Sequence, residues 1–75
     1  MSNLKMIRKK RKLSQIRLQI ETGIDQSLIS KFERGERQPT AQMLMILADY
    51  FHVSTDYLLD RTDVETPYPP KEKTT

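Results

Sequence analysis

Apolar side chains along this chain recur at intervals of three and four, the repeat that lines one face of an α-helix. Leu4 and Ile7 begin the pattern and, with Arg11 on the same face, anchor a first helix expected to end near Leu13. Ser14 is a good N-cap, because its hydroxyl can accept from an orphaned backbone N–H; it opens a second helix running through Ile16 to Thr22. Gly23 follows at the place where a left-handed residue stops a helix without a Cβ penalty. Asp25 caps a third helix, which Gly35 closes. Residues 36–40 (Glu-Arg-Gln-Pro-Thr) read as a loop, since Pro39 discourages helix at the residue before it. Thr40 caps a fourth helix, in which Leu44, Leu47, Ala48 and Phe51 fall at i, i+3, i+4 and i+7. Ser54 caps a short fifth one, Thr55 to Leu59. No stretch alternates with period two for long enough to be a strand, so the fold class is all-α.

From about Arg61 the periodicity dissolves into Thr, Asp, Glu, Pro and Lys, and Pro67, Pro69 and Pro70 favour extended, unpacked chain. The expected organisation is one folded domain over 1–60 and a flexible tail over 61–75, with no internal repeat. A domain this small buries only about 60% of the surface of its unfolded chain, so its stability is expected to be modest. The 75 residues include no cysteine, which removes disulfides and cysteine-ligated zinc and is compatible with a reducing compartment. Charge arrives too early for a secretory leader, and the longest apolar run, Met43 to Leu47, is too short to cross a bilayer. A cytoplasmic protein without membrane contact is expected.

Charge changes the picture through its distribution. The net charge is +3, but residues 1–37 carry ten Lys/Arg against four Asp/Glu, and residues 38–60 carry three Asp and no Lys/Arg. A basic half beside an acidic one fits a polyanion-facing surface on the first half, or simply an uneven solvated surface. The two-helix unit from Ser14 to Gly35 narrows the choice. Its helices are joined only by Gly23-Ile24-Asp25, and Leu18, Ile24, Ile29 and Phe32 can pack together to fix the angle between them. On a wheel of about 100° per residue, Ile29 and Phe32 mark the buried side of the third helix, with Leu28 and Glu33 beside them. Ser27, Ser30, Lys31 and Arg34 cluster within roughly 50° of the opposite side, and Gln26 lies at the tip. Short hydroxyls, an amide and two cations with no carboxylate suit the major groove of double-stranded DNA. A solvated face would usually mix both signs of charge.

These residues fall into a familiar order. Leu-Ser-Gln at 13–15, Leu18, Gly23-Ile24, Ile29-Ser30, Phe32-Glu33-Arg34-Gly35, Pro39, Leu47-Ala48 and Asp56-Tyr57-Leu58-Leu59 resemble the Cro/cI-type (XRE) helix-turn-helix family over Leu4–Leu59. The resemblance implies a compact five-helix, lambda-repressor-like domain whose third helix reads the major groove, usually as a homodimer on a palindromic site. It assigns Gln15 to a DNA phosphate at the start of helix two. Gln26, Ser27, Ser30 and Lys31 take the base-reading positions, and Arg34 and Arg37 contact the DNA backbone. Arg8 and Glu33 correspond to the family's structural ion pair between helices one and three. The chain departs from the family pattern at several places. Gln19 replaces a preferred Ala against helix three, and a tight helix crossing then requires its stem to lie along the interface with its amide in water. Arg17 stands where a Glu would complete a capping box, and His52 replaces a Gly after helix four. Ile16 and Ile20 are apolar where polar residues are commoner, either exposed or covered by a partner.

Met45, Ile46 and Tyr50 lie off the core stripe of helix four and, with Leu59, form a possible dimer patch. The run Arg8-Lys9-Lys10-Arg11-Lys12 reads chiefly as the polar face and end of helix one, with direct phosphate contact as the next reading and a targeting signal as the third. Catalysis has little to work with: one histidine at a helix end, no phosphate-cradling Gly-rich loop, and no His/carboxylate cluster at metal spacing. No enzyme activity, cofactor, metal or small-molecule substrate is expected. The sequence thus predicts a sequence-specific DNA-binding transcriptional regulator, a repressor or autoregulator. The alternative is a protein-interaction module on the same fold, an antitoxin or anti-regulator subunit.

Overall fold

The computed structural model describes residues 1–67, which fold into α1 (Ser2–Lys10), α2 (Gln15–Thr22), α3 (Gln26–Arg34), α4 (Ala41–Phe51) and α5 (Thr55–Leu58). Among the described residues there is no strand, and the all-α, five-helix arrangement expected from the periodicity is the one observed. Four helices start where a side chain accepts from the first turn. Ser14 takes the Arg17 N–H at 3.0 Å, Asp25 the Ser27 N–H at 3.0 Å, Thr40 the Met43 N–H at 3.1 Å and Ser54 the Tyr57 N–H at 3.0 Å. The Arg17 side chain, unable to complete a capping box, pairs with Glu21 one turn on at 3.0 Å.

Helix ends depend on left-handed residues. Gly23 and Gly35 adopt φ of 77° and 76°, and at Gly35 the chain wraps so that the Glu36 N–H reaches the Lys31 carbonyl at 2.8 Å. His52 ends α4 in the same region, at φ 56°. α1 stops at Lys10, one turn short of the end expected near Leu13, because Lys12 itself turns left-handed at φ 58°. The Leu13 N–H then returns to the Arg8 carbonyl at 3.1 Å. α5 closes at Leu58 rather than Leu59, a one-residue difference at a fraying end.

α1 lacks a cap of its own, and a distant residue supplies one. The Asp60 carboxylate accepts the Ser2 and Asn3 N–H groups at 2.9 and 2.8 Å. The Met1 ammonium lies 3.6 Å from that carboxylate and donates to the Phe32 carbonyl at 3.0 Å. Asn3, buried, donates to the Tyr57 carbonyl at 2.8 Å and the Thr62 carbonyl at 3.2 Å. This seam ties the beginning of α1 to the ends of α3 and α5.

One core runs through the bundle. Leu4, Ile7, Leu18, Ile29, Phe32, Leu47, Phe51 and Leu58 are essentially fully buried, with Ile24, Ala48, Val53 and Tyr57 around them. Each large side chain contributes about 1.5–3 kcal/mol by leaving water. Leu44, on the stripe expected to be buried, is only partly covered. α3 packs on both α1 and α2, so its inner face is fixed from two sides while its outer face stays open. Residues 61–67 of the expected tail form no helix, yet they are joined to the bundle. The Ser54 N–H donates to the Glu65 carbonyl at 3.0 Å, and Lys10 meets the Glu65 carboxylate at 2.9 Å. The rest of the tail, 68–75, lies outside the described residues.

Candidate nucleic-acid interface

The outer face of α3 rests on a buried ion pair. Arg8 Nε and Nη2 donate to the two Glu33 carboxylate oxygens at 2.6 and 3.1 Å, and Arg8 Nη1 reaches the Leu13 carbonyl at 2.7 Å. The Glu33 side chain is 3% exposed and the Arg8 side chain 9%, so each depends on the other for charge compensation. From this pair a chain of amides runs outward. Gln15 Nε2 donates to Glu33 Oε1 at 3.0 Å, and Gln26 Nε2 donates to Gln15 Oε1 at 2.7 Å. A carboxylate only accepts, so the nitrogen of Gln15 must face Glu33 and its oxygen must face Gln26. Among the described residues Gln26 is thereby left with its carbonyl oxygen and one N–H unengaged, an acceptor beside a donor. That pattern complements the N6/N7 edge of adenine. Gln15 also retains one free N–H, enough for a phosphate oxygen.

Gln19 meets the tight crossing in another way than by leaving its amide in water. Its Oε1 accepts the backbone N–H of Gln26 at 2.7 Å, satisfying the first donor of α3 from the neighbouring helix. Gln15 and Gln19 stand one turn apart on α2, so the two amides hold the side chain and the backbone of Gln26 together. The tight crossing of α2 and α3 survives the larger side chain because its polar end has this partner.

Further along α3 the polar groups engage one another. Ser27 donates its hydroxyl and its backbone N–H to Asp25, and these two bonds hold the Asp25 carboxyl below the ordinary carboxylate range. Ser30 accepts from Arg34 Nη1, which leaves the Ser30 hydroxyl proton to point elsewhere. Arg34 reaches over the turn at Gly35 to Glu36, with Nε and Nη2 at 2.6 and 3.2 Å from its carboxylate oxygens. The mutual hydrogen bonds raise the Arg34 pKa and lower that of Glu36. The outer stripe therefore does meet carboxylates, Asp25 before α3 and Glu36 after it, both outside the helix itself. Lys31, half-buried, and Arg37, exposed, have no hydrogen-bond partner among the described residues.

The basic run of α1 divides among several neighbours. Arg8 turns inward to Glu33 and Lys10 goes to Glu65. Arg11 donates to the Phe51 carbonyl at 2.9 Å, with its guanidinium 5.9 Å from the centre of the Phe51 ring. From this run Arg8 and Lys9 line the pocket between α1 and α3, where Lys5 joins them. Lys5 stands apart from the run in the sequence, and its spacing of i, i+4 from Lys9 is the signal that links the two.

The apolar candidates separate as well. Met45 is 59% exposed, whereas Ile46 and Tyr50 pack partly against the core and Leu59 is half-buried. Ile16 and Ile20 are 55% and 66% exposed on α2. Among the described residues no group of three or more His, Cys, Asp or Glu side chains is placed to hold a metal, and no helix is long and apolar enough to cross a membrane.

Two helices joined by a tight glycine turn, the second presenting an open polar face, define a helix-turn-helix unit. A family model described as Helix-turn-helix matches residues 4–58, and the chain belongs to the Cro/cI-type (XRE) helix-turn-helix family of DNA-binding transcriptional regulators. It is 37% identical over 67 residues to the uncharacterized HTH-type transcriptional regulator y4dJ of Sinorhizobium fredii (strain NBRC 101917 / NGR234), covering 89% of this chain and 86% of that protein. Two proteins of Bacillus subtilis (strain 168) are also similar. The uncharacterized HTH-type transcriptional regulator YqaE is 37% identical over 57 residues, covering 76% of this chain and 49% of that protein. For YobD, described in the same words, the figures are 36% over 64 residues, 85% and 57%. The chain thus spans about half the length of these two Bacillus relatives. No solved structure gives a significant match.

Proposed function

We propose that this protein is a sequence-specific DNA-binding transcriptional regulator that places α3 in the major groove. Gln26, Ser27, Ser30 and Lys31 read base edges, while Gln15, Arg34 and Arg37 hold phosphates. The observation that carries this reading is the amide chain from Glu33 through Gln15 to Gln26, which leaves a donor and an acceptor side by side at the tip of α3. In this reading residues 1–60 are the DNA-binding unit and 61–75 an appended segment. Two copies associate through Met45, Ile46, Tyr50 and Leu59 on a palindromic site, and the protein acts in the cytoplasm as a repressor or autoregulator without catalytic activity. Selection from randomised duplexes followed by sequencing tests this: a two-fold symmetric motif supports it, and recovery of no motif overturns it.

A second reading draws on Ile16 and Ile20, whose exposure on one face of α2 also fits a protein partner. The two readings part at low salt with mixed duplex DNA. Retarded mobility favours the DNA regulator, and none at micromolar protein favours an antitoxin or anti-regulator subunit.

A further inference from the structure

We propose that the pocket between α1 and α3 is a phosphate-binding site, and that Lys5 and Lys9 carry the DNA-backbone contact onto α1. The proposal rests on the DNA-binding reading for the source of the phosphate, though not for the chemistry of the pocket. The cavity measures about 290 Å³. The buried Arg8–Glu33 pair lines its interior, Lys5 and Lys9 border it from α1, and Ser30 and Arg34 border it from α3. Glu33 is the single carboxylate among the lining residues, and both its oxygens are already occupied by Arg8 and Gln15.

The lysines are the informative part. Arg8, Lys10 and Arg11 each find an acceptor within the protein, whereas Lys5 and Lys9 have none among the described residues. Like charges at i, i+4 on a helix repel, so this pair is set unfavourably unless an anion lies between them and the opposite wall. That wall offers a third cation and the free hydroxyl proton of Ser30, and Gln15 borders the same pocket with its remaining N–H. Two ammoniums, a guanidinium and neutral donors around one cavity suit a phosphate, whose oxygens accept from many directions at once. Gln15 and Ser30 also belong to the proposed DNA face, which favours a phosphodiester of the duplex over a free phosphate.

The test compares two charge-matched variants, Lys5→Gln/Lys9→Gln and Lys10→Gln/Lys12→Gln. All four residues are exposed, so both variants should fold, which thermal melting checks. Each is titrated with a short random-sequence duplex at several salt concentrations, and with inorganic phosphate followed by backbone amide NMR shifts. The pocket variant should lose about tenfold or more in duplex affinity near 0.1 M salt and flatten the log–log salt slope by about two per bound protomer. The other variant should change far less. Selective weakening on duplex, with phosphate shifts that do not saturate in the millimolar range, assigns the pocket to the DNA backbone. Saturable phosphate shifts around Lys5, Lys9 and Ser30, lost in the pocket variant while the native protein binds no duplex, keep the pocket but make its ligand a free phosphate group; the DNA reading then fails by itself. Equal weakening by both variants, with no localised phosphate shifts, overturns the proposal.

Discussion

The two ends of α3 are held in opposite ways. At its N-terminus, neutral amides from α2 grip Gln26 by side chain and backbone, and the chain of bonds is rooted in a buried ion pair. At its C-terminus, Arg34 is held by Glu36, with the two side chains 54% and 53% exposed. A partly buried neutral network keeps its geometry across salt concentrations, whereas an exposed ion pair is screened and easily exchanged. The first end is therefore suited to reading a base, which needs a fixed donor and acceptor. The second suits a phosphate, which needs only a cation free to trade one anion for another.

Glu33→Ala should strike the first end hardest. It leaves the Arg8 charge buried without its partner, which costs about 3–5 kcal/mol, a large part of a small domain's stability. Chemical denaturation should show that loss, and an effect under 1 kcal/mol would mean the pair does not anchor α3. Gln19→Ala removes one acceptor at the helix start and should cost about 1 kcal/mol, by analogy with loss of an N-cap. No loss would mean that water replaces the amide without penalty.

The end of α4 offers a control away from α3. His52 holds φ 56°, where its Cβ costs roughly 1 kcal/mol that glycine avoids. His52→Gly should raise stability by several tenths of a kcal/mol after allowing for glycine's larger unfolded-state entropy. A fall in melting temperature would count against that account.

The smallest effect on stability belongs to the C-terminal end of α3. The Glu36 pKa is depressed by Arg34, so whatever the pair contributes is present above the ordinary glutamate pKa and fades as pH falls through the lowered one. NMR titration of the Glu36 carboxyl should show that depression, and Arg34→Ala should remove most of it, leaving the smaller pull of Lys31. Glu36→Gln should barely move the melting temperature, yet it should raise affinity for any DNA sequence a few-fold by releasing Arg34. A change in the preferred sequence would instead place Arg34 among the reading groups.

Local signals were legible in the sequence, and relations between distant residues were not. Ser14, Asp25, Thr40 and Ser54 act as caps within three residues of themselves, and Gly23 and Gly35 stop helices by their own backbone freedom. The end of α1 escaped because Lys12, a residue with no left-handed preference, takes that conformation. The Asp60 cap of α1 escaped because it joins residues 57 and 58 positions apart, and no periodicity reports on such a pair. The basic run looked like one patch, but successive helical residues turn by about 100°, which sends Arg8, Lys10 and Arg11 to three different neighbours. Of the candidate DNA contacts, the meeting of Gln15 with Gln26 and the turning of Arg34 toward Glu36 became visible only when the helices were packed.

The most direct measurement is a set of titrations of Gln26→Ala and Arg34→Ala on a selected operator and a scrambled duplex, at several salt concentrations. Gln26→Ala should lose about 1–3 kcal/mol per half-site on the operator and leave the scrambled duplex nearly unaffected. Arg34→Ala should weaken both duplexes by similar factors and flatten the salt slope by about one unit per contact. Equal weakening of both duplexes by Gln26→Ala, together with a changed sequence preference in Arg34→Ala, would contradict the account.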